Sequence, residues 1–292
     1  SEVFIAVTLV SLGTSLPEIS VHIVGSMNIL SEPSVMQNVS ATVLGMNIGS
    51  DIIQQTLVMG SVISLAAILR GRKNVIFTRD FIRMDYMPMI AAHLLVFFMA
   101  LNGFLTRAEG LILMMVFGVY VYYMYGNRDR RLLRQGGGEK SERPYIDLLI
   151  GLVAIAVLIY SSDVFLSIVE TLIAETGISG SMIGVATVGI VSAVPEMVTA
   201  FTALRQRAEG LALGTLIGSN ITNPLMGIGL GAAISGYSVP RSVIVFDLPV
   251  QIATAVILVL YLWNREFVGK MLSVPVDFLG FDRKAEELRS MD

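Results

Sequence analysis

Two acidic residues carry the chemistry that this sequence can do. Glu18 and Glu196 each follow a proline directly, and each sits in the middle of a long apolar run. An ionisable side chain in such a setting is costly, which makes it a functional-site candidate by default. Around the two glutamates lie hydroxyls and carboxamides: Thr14, Ser15, Ser50 and Gln54 in the first half of the chain, and Ser192, Ser219 and Asn223 in the second. The chain has no cysteine and only two histidines, His22 and His93. Oxygen donors without sulfur or an imidazole set suit a hard cation. Ca2+ takes roughly six to eight oxygens in flexible geometry, whereas Mg2+ holds its waters and demands a stricter octahedron, so Ca2+ fits better. Ser50 and Gln54, like Ser219 and Asn223, stand four residues apart, so each pair shares a helix face. Each hydroxyl taken alone is also explained by helix packing or by back-bonding to a carbonyl.

The elements that position these groups must cross a membrane. The 292 residues are 54% hydrophobic and 15% charged, where a soluble domain carries about 25% charged residues to face water. A wholly soluble globular protein is therefore excluded, and the missing cysteines exclude a disulfide framework, a thiolate zinc site, an iron–sulfur cluster and a cysteine nucleophile. The net charge of −3, with Arg and Lys confined to short stretches, leaves no broad basic face for nucleic acid. Crossing the hydrocarbon core takes roughly 20 apolar residues. Eight segments qualify, near 3–30, 38–69, 84–102, 108–126, 145–174, 181–205, 209–237 and 243–263. They lack strict alternation, so they predict an all-α polytopic bundle in the lipid bilayer and not a barrel. The first segment does not read as a secretory signal, because it lacks a basic leader and holds Pro17, Glu18 and His22 in its middle.

Basic residues collect on the cytoplasmic side of membrane helices. The loops at 70–83 and 126–143, the turn holding Arg205 and Arg207, and the stretch from Arg265 to Arg289 take all but Arg107 and Arg241 of the 20 basic residues. With single crossings these stretches all fall on one side, which places both ends of the chain in the cytoplasm. The run Gly136-Gly137-Gly138-Glu139-Lys140-Ser141-Glu142 reads as a flexible hydrophilic linker between halves.

The halves are copies of one unit. Residues 5–14, continuing through Ser15-Leu16-Pro17-Glu18, match 183–192, continuing through Ala193-Val194-Pro195-Glu196. Leu44-Gly45-Met46-Asn47-Ile48-Gly49-Ser50-Asp51-Ile52 matches Leu213-Gly214-Thr215-Leu216-Ile217-Gly218-Ser219-Asn220-Ile221, and Asp85-Tyr86-Met87-Pro88 is echoed by Asp247-Leu248-Pro249. The first copy starts on the cytoplasmic side and the second outside, so the repeats are inverted. Inverted repeats with proline-interrupted helices are the mark of secondary transporters whose site lies near the midplane between the copies. Pro17 and Pro195 each remove a backbone donor and so free carbonyl oxygen for a cation. The segment at 145–174 lacks a counterpart before Ser1, and 108–126 lacks one after Trp263. The expected parent fold therefore has about ten helices, with one missing at each end here. The expected divisions are 1–126 for the first half (repeat about 5–65), 127–144 for a cytoplasmic linker, 145–270 for the second half (repeat about 181–236) and 271–292 for a polar C-terminal tail.

Gly13-Thr14-Ser15-Leu16-Pro17-Glu18 with Gly49-Ser50, and Pro195-Glu196 with Gly218-Ser219-Asn220, resemble the two alpha-repeats of the calcium/cation antiporter superfamily. That resemblance spans both halves. It implies a sodium/calcium-exchanger-like fold of ten or eleven helices, alternating access, and Ca2+ extrusion driven by Na+ or H+. It maps the family's glutamates onto Glu18 and Glu196 and its flanking hydroxyls onto Thr14, Ser50, Ser192 and Ser219. No cofactor or enzyme activity is implied, and a prokaryotic owner would hold the chain in its plasma (inner) membrane.

The departures from the family pattern bear on the coupling ion. Sodium/calcium exchangers of the superfamily often have an aspartate where this chain has Asn223, and the first-copy counterpart is the neutral Gln54. One Ca2+ or two H+ neutralise two carboxylates, while three Na+ would leave excess positive charge in low dielectric. The expectation is thus H+/Ca2+ exchange, with Na+/Ca2+ exchange as the alternative. A cation channel is weaker, because selectivity rings are built by identical subunits around an axis. An intramembrane aspartic protease is weaker still, because Asp51 and Asp163 form no recognisable pair of motifs. His22 could relay protons or pack through hydrogen bonds, and Asp51 could be a satellite acid or a partner for another helix. Asp163 is expected to cap or pair within the bundle.

Overall fold

The computed structural model describes residues 10–70, 82–126 and 144–263. The linker at 127–143, most of the arginine-rich loop at 70–83, the first nine residues and the tail from 264 lie outside them, together with the expectations made there. Thirteen helices and two short strands are described: α1 (Ser11–Thr14), α2 (Leu16–Ser31), α3 (Met36–Ile53), α4 (Met59–Arg70), α5 (Met87–Ala100), β1 (Phe104–Leu105), α6 (Arg107–Gly126), α7 (Pro144–Thr176), α8 (Gly180–Ile183), α9 (Gly189–Ser192), α10 (Val194–Arg205), α11 (Glu209–Thr222), α12 (Gly229–Ser235), β2 (Tyr237–Ser238) and α13 (Leu248–Trp263). Single π-helical turns join α3 to α4 (Gln54–Val58), α8 to α9 (Gly184–Val188) and α11 to α12 (Asn223–Ile228), and others lead into α5 (Ile82–Tyr86) and α13 (Val243–Asp247). The turns that begin at Gln54 and Asn223 fall at equivalent positions of the two copies. Such bulges inside helices concentrate at functional sites.

The contacts fix how the copies are oriented. Along α2 and α3, Glu18 meets Ser50 and His22 meets Asn47, so these helices run antiparallel. Between α3 and the α8–α9 run, Gly45 abuts Ser181 and Gly49 abuts Val185, so these run parallel. The motif helix of the second copy therefore points opposite to that of the first, and the repeats are inverted, as the sequence predicts. At one end of the bundle β1 pairs antiparallel with β2, with Phe104 opposite Ser238 and Leu105 opposite Tyr237. The ladder closes beside the α2–α3 hairpin, where Ser238 N–H donates to Ser40 Oγ. Arg107 and Arg241, the two residues that the positive-side argument excludes, follow these strands closely in sequence.

Five helical stretches are long and apolar enough to cross a membrane by length and composition: Ile82–Ala100, Arg107–Gly126, Ala156–Thr176, Gly180–Arg205 and Val243–Leu260. The other three expected crossings involve α1–α2, α3–α4 and α11–α12, and among the described residues they do not reach that apolarity. The reason is their place in the bundle. Every residue from Val39 to Asp51 on α3, and from Ala212 to Thr222 on α11, is buried. A helix shielded by protein can carry polar groups that lipid would forbid. The outer helices bear the apolar belt instead, with Met115, Val119, Val157, Ile168 and Ile257 exposed. Asp163, expected to pair inside the bundle, is exposed on α7 because that helix turns most of its surface outward.

Backbones can approach closely only where side chains are absent, and membrane helices use small residues for this. A Cβ on Gly49 would stand 2.6 Å from Val185 Cα, and one on Gly189 would stand 2.6 Å from Gly49 C and 2.7 Å from Ser50 N. This contact carries the Ser50 turn up to the second-copy motif. Gly49→Val should therefore lower the melting temperature in detergent and reduce monodisperse protein, since overpacking against backbone costs about 1–3 kcal/mol or more. Gly60→Ala is the control, because a Cβ there meets nothing within 4 Å. Equal melting of Gly49→Val and wild type would contradict this packing.

Candidate cation site

The site forms where the two motif helices break. Helix α1 stops at Thr14, Ser15 makes the joint, and Pro17 sits in the first turn of α2. In the second copy α9 stops at Ser192, Ala193 makes the joint, and Pro195 opens α10. Proline has no N–H, so the carbonyls of Gly13 and Val191 lose their helical donors. Each break sets its glutamate in the first turn of the following helix, where the helix dipole favours negative charge.

Both carboxylates have zero solvent exposure. Ser50 donates to Glu18 Oε1 at 3.1 Å, and the equivalent Ser219 donates to Glu196 Oε1 at 3.3 Å. The copies also interlock. Thr14 stands beside Glu196 and Ser192 beside Glu18, and the two glutamates are close enough to feel each other's charge. Thr14 Oγ1 lies 3.3 Å from Ser219 Oγ and donates to Ser11 O at 3.2 Å. Ser192 donates to Gly189 O at 3.3 Å. Among the described residues neither glutamate makes an ion pair, and no three His, Cys, Asp or Glu side chains gather to hold a metal. A cation bound by the two carboxylates and neutral oxygens, or protons, would compensate that charge.

Among the described residues several buried oxygens have no hydrogen-bond partner: Glu18 Oε2, Glu196 Oε2, Ser15 Oγ, Asn47 Oδ1 and Asn223 Oδ1. A buried acceptor left unsatisfied costs about 1–3 kcal/mol, and these five lie on the elements that meet at the two helix breaks. Gln54 and Asn223, equivalent in the repeats, differ here. Gln54 donates to Ser50 Oγ at 3.1 Å, and its oxygen accepts one bond, from Asn220 Nδ2 at 2.9 Å. Asn223 donates to Asp51 Oδ1 at 2.8 Å and leaves its oxygen free. Because Asp51 is the counterpart of Asn220, these two cross-copy bonds are symmetry mates.

Of the two readings open for Asp51, satellite acid or partner for another helix, the structure shows the second: it is the hub of a buried network across helices. It accepts from Asn223 and from Gln251 Nε2 at 2.7 Å, with His93 Nε2 3.5 Å away. His93 Nε2 lies 3.0 Å from Asn220 O. Asn220 Oδ1 accepts from Gln55 Nε2 at 2.6 Å, and Gln55 Oε1 accepts from Thr254 at 2.7 Å. Asn47, Gln55, Asn220 and Gln251 escaped the sequence reading. Their signal was a carboxamide inside an apolar run, next to or one turn from a motif residue.

Comparison with known proteins then decides the family. The profile of the family described as sodium/calcium exchanger protein matches residues 1–126 and 146–275. The chain belongs to the sodium/calcium exchanger family. Relatives include inner membrane protein YrbG of Escherichia coli, 25% identical over 274 residues, with 89% of this chain and 78% of the relative covered. Another is sodium/calcium exchanger MaX1 of Methanosarcina acetivorans, 26% identical, with 90% and 82% covered. In structure the chain is similar to the sodium-calcium exchanger NCX_Mj with a TM-score of 0.57 at 20% identity, covering 90% of this chain and 80% of that one. This membership places the protein in the calcium/cation antiporter superfamily as a multi-pass integral membrane transporter of the exchanger type with an all-α fold.

For this exchanger-family chain, Ser50→Ala and Ser219→Ala should each weaken cation binding about tenfold, since a hydrogen bond to a charged group contributes about 1.5–3 kcal/mol. Calorimetric titration of the purified variants with Ca2+ checks this, and unchanged affinity in both would contradict the geometry.

Proposed function

We propose that the chain exports Ca2+ in exchange for H+ by alternating access, with Glu18 and Glu196 as the shared site. Thr14, Ser15, Ser50, Ser192, Ser219 and Asn223 complete it with neutral oxygen, and Gln54 holds Ser50 in place. The observation that carries this reading is the pair of buried, unpaired carboxylates, each anchored through one oxygen by an equivalent serine and open at the other. Two negative charges in low dielectric are balanced by one Ca2+ or by two H+, so either cargo can be carried and neither can bind beside the other. On the cytoplasmic side the ionised pair takes Ca2+. On the outer side protons displace it, and the protonated pair returns. Names of relatives accord with this class, among them putative antiporter CaxA of Alkalimonas amylolytica, 27% identical, with 80% of this chain and 71% of the relative covered.

Asp51 favours a second reading. If it stays ionised beside the site, the total rises to three negative charges, which three Na+ would neutralise. That removes the charge argument against Na+/Ca2+ exchange, the activity that the name of MaX1 states for that protein. The donors around Asp51 support the first reading. Asn223, Gln251 and the nearby His93 meet its charge inside the network, even though Asp51 lies close enough to Glu18 for their charges to interact.

Flux into proteoliposomes, with the membrane potential clamped, separates the two. Ca2+ uptake driven by a pH gradient without Na+ is the expected result, and uptake that needs Na+ would overturn proton coupling while keeping the site. Protons and Ca2+ compete for the same oxygens, so the apparent Ca2+ affinity should fall as pH falls and recover as pH rises. Glu18→Gln and Glu196→Gln should each abolish transport, and normal flux in either would remove the shared site.

A further inference from the structure

A side chain three residues before Ser50, not among the candidate ligands, faces the same seam. Helices α2 and α3 meet through two rungs one turn apart: Glu18 with Ser50, and His22 with Asn47. His22 follows Glu18 by four residues and Asn47 precedes Ser50 by three, so both rungs lie on the same faces. Asn47 is fully buried. Its Nδ2 lies 3.1 Å from His22 Nε2 and donates to the Asn223 carbonyl oxygen at 3.0 Å. A main-chain carbonyl can only accept, so the amide atom facing it must be nitrogen, which settles the orientation of the carboxamide. The other amide atom, Oδ1, is buried with no partner among the described residues.

The surroundings hold that orientation. With Nε2 accepting from Asn47, His22 carries its proton on Nδ1, which faces Tyr237 Oη at 3.0 Å. Tyr237 Oη in turn lies 3.0 Å from Ser26 Oγ and 3.2 Å from His22 O, and Ser26 donates to Gly231 O at 2.9 Å. A Cβ on Gly231 would overlap Tyr237 Oη, so that glycine leaves room for the hydroxyl. A Cβ on Gly227 would stand 3.1 Å from Asn47 Nδ2 and 3.2 Å from His22 Cδ2, so the pair also needs the bare backbone there. Nothing comparable exists across the pseudo-twofold axis, where the counterparts of Asn47 and His22 are Leu216 and Ala200.

We propose that Asn47 Oδ1 is a further ligand of the transported cation, one turn along the seam from Glu18, and that His22 is the positioning residue that keeps this oxygen turned towards the ion. The proposal rests on the reading of Glu18 and Glu196 as a Ca2+ site. It makes the coordination one-sided, because the second copy offers a leucine side chain at the equivalent place.

The test is Ca2+ and Sr2+ flux in proteoliposomes for wild type, Asn47→Leu and His22→Ala. Leucine copies the residue of the other repeat and nearly matches asparagine in shape. The expected result for Asn47→Leu is a rise in KM for Ca2+ of about tenfold, as one lost oxygen contact of ~1.4 kcal/mol gives. The loss should be larger in KM than in kcat, with an altered Ca2+/Sr2+ preference that a packing role would not produce. His22→Ala should shift KM in the same direction by less. If Asn47→Leu fails to fold, His22→Ala and Gly227→Ala, which pushes on the pair from outside, decide. Unchanged KM and ion preference in the folded variants would overturn the proposal. A wild type that moves neither cation would overturn the functional reading beneath it.

Discussion

Two carboxylates held out of water, without a basic partner among the described residues, are the constraint around which this protein is arranged. Moving one such ion into low dielectric costs of order 20 kcal/mol in the idealised limit and several kcal/mol after relaxation. The chain meets that cost with helix breaks that aim dipoles at Glu18 and Glu196 and with a serine on each, and it leaves oxygens open that a cation or protons could complete. The remaining helices follow from it. Glycine contacts between α3 and the α8–α9 run bring the copies close enough to share the site, and the apolar outer helices shield it from lipid.

The duplication gives the site its symmetry, and substitutions in the first copy break it. The Glu18–Ser50 and Glu196–Ser219 bonds are mates, as are Asp51–Asn223 and Asn220–Gln54. His22 and Asn47 have Ala200 and Leu216 as counterparts, so that polar pair lines one copy alone, and the acidic Asp51 has the neutral Asn220. An exchanger built on inverted repeats interconverts its two faces by exchanging the conformations of its halves. A one-sided polar pair makes those two faces chemically unequal.

Much of this was legible in the residues. The repeat, its inversion and the motif glutamates could be read because duplication prints the same residues twice and because arginine is asymmetric across a membrane. The network around Asp51 could not, since each amide in it pairs with a residue far away in sequence, as Asn47 does with Asn223 and Gln251 with Asp51. Hydropathy is also weaker at the centre: 38–69 and 209–237 read as crossings, yet α3 and α11 are the more polar because protein and not lipid surrounds them. The Gln54 oxygen illustrates the same limit. Its type and spacing match a ligand, but the bond it accepts from Asn220 of the other copy could not be read from spacing.

The central claim is that one pair of carboxylates exchanges protons for a divalent cation. It is tested most directly by calorimetric Ca2+ titration of the full protein in buffers of different ionisation enthalpy, which counts the protons released for each ion bound. At mildly acidic pH the account predicts proton release that approaches two per Ca2+ and is lost, with the binding itself, in Glu18→Gln and Glu196→Gln. Tight Ca2+ binding with no proton release, unchanged in both variants, would contradict it.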